Sequence, residues 1–171
     1  MVELYRSIQK RKKIASVIEN SSGMSYSEIK RNTGFSNGTL SHHIKYMEKN
    51  GNVRIRRNKR LLYVFPLNSD PDDDKFIISL RKETCKRILV YLLAKKSARF
   101  NEIRDAVKKS QGTVSVTLKQ LTNSMLVKKG LGFEKTYELY DPAKTFEILQ
   151  KLHPTTVDKL KERFEDSFSF Y

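Results

Sequence analysis

The chain has 171 residues, with 34 Lys and Arg against 19 Asp and Glu, which gives a formal net charge of +15. This length allows one domain of ordinary size or two small ones, and a hydrophobic content of 38% excludes wholesale disorder. So large a basic excess predicts a polyanionic partner, and nucleic acid is the commonest one.

Cysteine and hydropathy patterns narrow the class further. Cys85 is the only cysteine, so neither an internal disulfide nor a thiolate metal cluster is expected. The longest apolar run, residues 88–94, is far short of the ~20 residues that a membrane span needs. The basic N-terminus has no apolar stretch after it, unlike a signal peptide. We therefore expect a cytoplasmic, nucleoid-associated protein without a membrane segment.

The charge is divided into blocks along the chain. Residues 1–66 carry a net +10 and residues 75–142 a net +9, whereas residues 67–74 carry −4 and residues 143–171 sum to zero. The acidic segment also contains turn-forming residues that interrupt regular structure. We predict a first domain over 1–66, an acidic linker over 67–74, a second domain over 75–142 and a helical tail over 143–171.

An internal repeat supports this division. When the chain is aligned with itself so that Ser36 matches Ser110, the two basic blocks align without a gap, and Thr39 and Tyr63 then match Thr113 and Tyr137. Two copies of this length suggest two small domains rather than a solenoid.

Each copy predicts the same elements in the same order. An amphipathic helix over 8–20 or 82–95 precedes a short helix, and a third helix begins at the N-cap Ser36 or Ser110. A two-stranded hairpin follows. Within the third helix, Leu40, Ile44 and Met47 form one apolar stripe, which is typical of a core-facing side.

Two segments carry a family resemblance: SNGTLSHHIKYMEKNGNVRIRR and SQGTVSVTLKQLTNSMLVKK. Both resemble the recognition helix and wing of MarR- and ArsR-like regulators, and their succession resembles archaeal two-winged-helix transcription regulators. The resemblance implies a mainly α fold with small β-wings: two tandem winged helix-turn-helix domains plus C-terminal helices. It also implies that the third helix of each copy enters the major groove of double-stranded DNA.

The expected DNA-binding residues of the first copy lie on the third helix and the wing. The helix face opposite the apolar stripe has no acidic residue, and the wing concentrates arginines that alternate with core residues. We predict contacts from Asn37, Gly38, Thr39, Ser41, His42, Lys45, Lys49, Arg54, Arg56, Arg57, Lys59 and Arg60.

The second copy is less basic, and we expect it to bind more weakly. Its wing mixes lysines with Glu134 and Glu138, and Val116 on its third helix is suited to a thymine methyl group. The predicted contacts are Gln111, Thr113, Ser115, Lys119, Lys128 and Lys129.

The tail predicts an apolar helical stripe made of Val157, Leu160, Phe164 and Phe168. We assign it to a homodimer interface, because regulators of this kind usually read two-fold sites. A monomer stays open as the alternative, since a tandem chain already has two reading helices.

Catalysis, metals and cofactors are not expected. The chain has no Walker loop, no metal-ligand spacing and no recognisable nucleophile–base pair. The adjacent His42 and His43 diverge on a helix, and Cys85 fits a buried position. The main interpretation is a sequence-specific transcription regulator. The alternatives are a chromatin-type architectural protein, a replication initiator or, less favoured, a winged-helix scaffold that binds protein.

Overall fold

The computed structural model describes residues 2–58, 61–131 and 134–160. Contacts within the chain divide it into two compact units, with the boundary between Asp74 and Lys75. Most of the structure is helical, and two small antiparallel sheets complete it. The fold class predicted from the sequence, mainly α with small β-wings, is confirmed. Among the described residues, no helix is long and apolar enough to cross a membrane.

The first unit contains three helices and one three-stranded sheet. Its elements are α1 (Val2–Asn20), β1 (Met24–Ser25), α2 (Tyr26–Thr33), α3 (Asn37–Lys49), β2 (Val53–Asn58) and β3 (Leu61–Pro66), followed by a short 3-10 turn (Pro71–Asp73). The strand order is β1-β3-β2.

Local sequence signals set the ends of these helices. Ser25 caps α2 in a reciprocal arrangement with Glu28, in which each side chain bonds the backbone N–H of the other. Gly34 ends α2 at φ +73°, and Gly51 follows α3 at φ +64°. Both glycines have left-handed backbone angles, which end a helix and which glycine adopts without steric strain.

The first core confirms the predicted stripe of α3. Leu40, Ile44 and Met47 are buried, and they pack with Ile14 and Ile18 of α1 in one cluster. Burial of such side chains is the main stabilising term of a small domain, at about 1.5–3 kcal/mol each. The opposite side of α3 is thereby left on the surface.

The second unit repeats this order and adds flanking helices. Its elements are α4 (Asp74–Leu80), of which the first residue still belongs to the first unit, α5 (Glu83–Lys95), β4 (Ser97–Arg99), α6 (Phe100–Val107), α7 (Gln111–Asn123), β5 (Val127–Lys129), β6 (Thr136–Leu139) and α8 (Pro142–Leu152). A further helical stretch covers 154–160. The strand order is β4-β6-β5.

Helix α5 is the central element of the second unit. Its residues Ile88, Leu89 and Leu92 are fully buried, and it packs against α6, α7, β6 and α8. Helix α5 is therefore covered on more than one side.

One prediction about the elements is wrong, and one short strand in each unit was not predicted. Helix α1 begins at Val2 rather than near residue 8, because no helix breaker precedes Ser21 and the helix extends beyond the residues that reach the core. Both predicted two-stranded hairpins are present, but short strands at Met24–Ser25 and Ser97–Arg99 add a third strand to each sheet. These strands are too short for a period-2 pattern to show in the sequence.

The gapless alignment of the two copies is also wrong within the wing. Met24 pairs with Val64, whereas Ala98, which the alignment matches to Met24, pairs with Tyr137. Tyr137 is therefore the structural counterpart of Val64, although the alignment matches it to Tyr63. The segment that leads to the last strand is therefore one residue shorter in the second unit than in the first.

Candidate nucleic-acid interface

Helix α3 is fixed at its start by a side-chain cap. The Oγ of Ser36 accepts a hydrogen bond from the backbone N–H of Thr39 at 3.3 Å and donates to the Thr39 Oγ1 at 3.0 Å. The Tyr26 hydroxyl of α2 donates to the carbonyl oxygen of Asn37 at 2.9 Å. These contacts orient the first turn of α3 and leave its N-terminal end exposed, where backbone N–H groups favour anions.

The outer face of α3 carries the predicted helix residues. Asn37, Gly38, His42, Lys45 and Lys49 are exposed, and Thr39 and Ser41 are half-buried at its edges. Gly38 has no atom within 4 Å of the position where a Cβ would stand, so a larger residue there would meet only an approaching partner. Five of the seven predicted helix residues are thus exposed, and the other two are partly covered.

Tyr46 also flanks this face, although it was not among the predicted DNA contacts. It is 44% exposed, and the guanidinium of Arg11 on α1 stacks over its ring at 4.4 Å from the centroid. The pair joins a cation and an aromatic ring beside Lys45, which suits contact with a phosphate backbone or a base. Neither residue type nor spacing indicated the contact, because Arg11 lies on a different helix, far earlier in the chain.

A shallow basic cleft beside α3 also went unpredicted. It is lined by Ser27, Lys30, Arg31, Gly34 and Phe35, where α2 ends and turns into α3. Lys30 and Arg31 are exposed. The neighbouring Lys30 and Arg31 were the available sequence signal, but two adjacent cations are also typical of an ordinary solvent-exposed helix face.

The arginines of the first wing are held by carboxylates of the same unit. Arg54 donates to both oxygens of Asp74, at 2.6 and 2.9 Å, and Arg56 donates to one of them at 3.3 Å. Arg57 makes a two-bond pair with Glu48 of α3 at 3.0 Å for each bond. Hydrogen bonds to these carboxylates raise the pKa of Arg54 and of Arg57, so both stay charged.

These contacts separate the wing arginines by role. The Arg54 side chain is only 25% exposed and lies against the Phe65 ring, whereas those of Arg56 and Arg57 are 47% and 61% exposed. Arg54 faces the acidic segment rather than open solvent. The other two predicted wing contacts, Lys59 and Arg60, lie outside the described residues.

Helix α7 shows the same arrangement in the second unit. The Ser110 Oγ accepts from the Thr113 N–H at 3.3 Å, and Val114, Leu118 and Leu121 are buried. Its exposed side carries the predicted residues together with an apolar neighbour: Gln111, Thr113, Ser115, Val116 and Lys119.

In the second wing, too, acidic residues pair with cations. Lys128 and Glu138 face each other across β5 and β6 at 3.8 Å, and Glu134 pairs with Arg99. Lys129 is exposed beside them. The acids therefore neutralise part of the basic surface that the sequence places here.

Histidine and cysteine do not form a chemical site in the described part of the chain. Residues 2–58, 61–131 and 134–160 contain no group of three or more possible metal ligands. His43 lies on the buried side of α3, and burial lowers its pKa. Cys85 is also buried, and desolvation raises the pKa of its thiol, which is the opposite of an activated thiolate.

The residues assigned to dimerisation fall into two groups. Val157 and Leu160 are 1% and 7% exposed within the single chain, so their side chains are already covered without a second copy. Phe164 and Phe168 lie outside the described residues. The homodimer stays a prediction, and its support from the tail now depends on the segment 161–171.

Comparison with known proteins agrees with this geometry in the second unit. The family model described as "Bacterial regulatory protein, arsR family" matches residues 86–129, a stretch that runs from α5 through β5. No curated protein matches the chain. The chain therefore contains a helix-turn-helix segment similar to that of arsR-family regulators, which supports a winged helix-turn-helix, DNA-binding regulator.

Proposed function

We propose that the protein is a sequence-specific regulator of transcription that grips double-stranded DNA with two tandem winged-helix domains. The observation that carries the proposal is the pair of serine-capped helices, α3 and α7. Both have 13 residues, begin directly after their capping serine and bury one apolar stripe. Each leaves a polar or basic side outward, as a recognition helix must.

The domain limits belong to the same proposal. We assign residues 1–66 and 75–142 to the two winged-helix domains, 67–74 to an acidic connection and 143–171 to a tail. The repeated order of helices and strands in the two units supports this assignment. The arsR-type match lies in the second domain only, so the assignment of the first rests on its own geometry.

The two recognition helices are proposed to read different bases. Position 42 of α3 is an exposed histidine, and the corresponding position of α7 is Val116, which is 58% exposed. A histidine can hydrogen-bond to a base edge, whereas a valine offers only contact with a thymine methyl group. We therefore expect an asymmetric site with two unlike halves.

Selection of bound duplexes from a random DNA pool tests the proposal. We expect enrichment of one sequence with two unlike half-sites, and His42→Ala should relax the preference in one half only. Footprinting at about 0.2 M salt provides the control, because electrostatic non-specific binding weakens steeply there. Protection without any sequence preference would instead support an architectural role in chromatin.

A further inference from the structure

The strongest unexplained feature is the buried carboxylate under the first wing. Asp74 is 1% exposed. Its two oxygens receive three hydrogen bonds from two arginines, two from Arg54 and one from Arg56. A fully buried acid needs such compensation, but a single arginine already supplies it. The contact with Arg56 is therefore additional to what burial requires.

Arg54 has the geometry of a fixed support. One terminal nitrogen bonds Asp74, and the other bonds both Asp74 and the Oγ of Ser69, at 3.0 Å. The guanidinium also lies over the Phe65 ring at 4.9 Å. With its terminal donors engaged and its side chain 25% exposed, Arg54 has little left for a ligand.

Arg56 is held at one end and open at the other. Only its Nη1 bonds the shared oxygen of Asp74, at 3.3 Å, and the side chain is 47% exposed. Among the described residues no other partner of this guanidinium is seen, so its remaining donors are available outward, in an orientation limited by a buried anchor. Arginine otherwise loses considerable rotamer freedom on binding, and orientation in advance reduces that loss.

We propose that Asp74 is a positioning residue that presents Arg56 to the phosphate backbone of DNA. The inference rests on the proposed function and deepens it by separating the wing arginines into one that binds the protein and one that binds the phosphate. The local charge also favours an anion, because two guanidinium groups share one carboxylate. Asp74 thereby strengthens DNA binding although it is itself negative.

The sign of the effect distinguishes this role from simple charge. Asp74→Asn removes a negative charge from a DNA-binding surface, so electrostatics alone predicts tighter binding. Positioning predicts weaker binding, by up to the roughly eight-fold at 0.1 M salt that one phosphate contact contributes. Asp72→Asn is the matched control, since it removes the same charge from an exposed residue of the same segment.

The experiment measures affinity of the full chain for the selected duplex, with each variant made alone and together with Arg56→Ala. We expect Asp74→Asn to weaken binding and Asp72→Asn to leave it unchanged or slightly tighter. In the Arg56→Ala background, Asp74→Asn should have no further weakening effect. Asp74→Glu keeps the charge but moves the carboxylate, and should also weaken binding. This variant provides the test if the Asn form does not fold.

Four results would overturn the proposal. Equal tightening by Asp74→Asn and Asp72→Asn would leave only a charge effect, and equal weakening with and without Arg56 would indicate a general effect on the fold. If Arg56→Ala weakens binding but no Asp74 variant does, the positioning role alone fails. If Arg56→Ala has no effect, the wing contact in the proposed function fails with it.

Discussion

Replacing the two exposed wing arginines, Arg56 and Arg57, by alanine should weaken binding to every DNA sequence. Each phosphate contact adds about 0.9 to the slope of log affinity against log salt. Loss of both should reduce the slope by about 1.8, which corresponds to roughly 60-fold at 0.1 M salt. The two side chains are 47% and 61% exposed and their partners lie in the same unit, so the fold should change little.

Fluorescence anisotropy with the selected duplex and a scrambled duplex, at about 50, 100 and 200 mM salt, measures this slope. The matched control is Lys144→Ala with Lys151→Ala. It removes two positive charges from α8, where both lysines pair with Glu147. Over this roughly four-fold rise in salt, each phosphate contact lowers the affinity by about 3.5-fold. The wing variant lacks two such contacts, so the fold-decrease in its affinity should be about 12 times smaller than that of the wild type. An unchanged slope, or an equal loss in the control, would refute the assignment of this surface.

Three further predictions concern stability and assembly. Gly34 has φ +73°, so Gly34→Ala should destabilise the first unit by about 1 kcal/mol in urea unfolding. Lys108 occupies the corresponding position at φ +52°, so Lys108→Gly should be neutral or stabilising in the same assay. A change of the same sign in both variants would contradict the backbone argument. Burial lowers the pKa of His43 and of His153 below 6.5, so the unfolded chain takes up protons first and stability should fall as pH drops below about 6.5. Urea unfolding at pH values of about 7.5 and 5.5, on either side of the ordinary histidine pKa, should show a smaller loss when both histidines are replaced by glutamine, and an equal loss would exclude them as the cause. If the tail pairs two chains, sedimentation equilibrium should give a dimer for the full chain and a monomer for a chain cut after residue 160; a monomeric mass for both would end the homodimer hypothesis.

The helices and their faces could be predicted from the sequence because their signals are local. Ser36 and Ser110 marked the starts of α3 and α7, and the spacing of Leu40, Ile44 and Met47 identified the buried side. A cap acts within a single helical turn and an apolar stripe follows the helical period. Both signals can therefore be recognised in the sequence without knowledge of the rest of the fold.

The strand partners could not be read in the same way. The third strand of each sheet is too short to carry a pattern, and the second wing pairs one position away from the register that the alignment assumed. Lys108 and Met125 take left-handed backbone angles where the first copy has Gly34 and Gly51. Residue type gave no signal at these two positions, because the surrounding turn imposes the angle.

The sequence by itself determined that this is a basic chain with repeated, capped helices whose outer faces are polar. Only the tertiary structure decided which of the cations face outward. Arg54 and Arg56 look equivalent in an alternating strand, yet Asp74 engages the first with two bonds and the second with one. That partner lies beyond the end of the hairpin, on a later segment of the chain. The physical reason is that charge is counted along the chain, whereas ion pairs form in space, after the backbone has brought the two groups together.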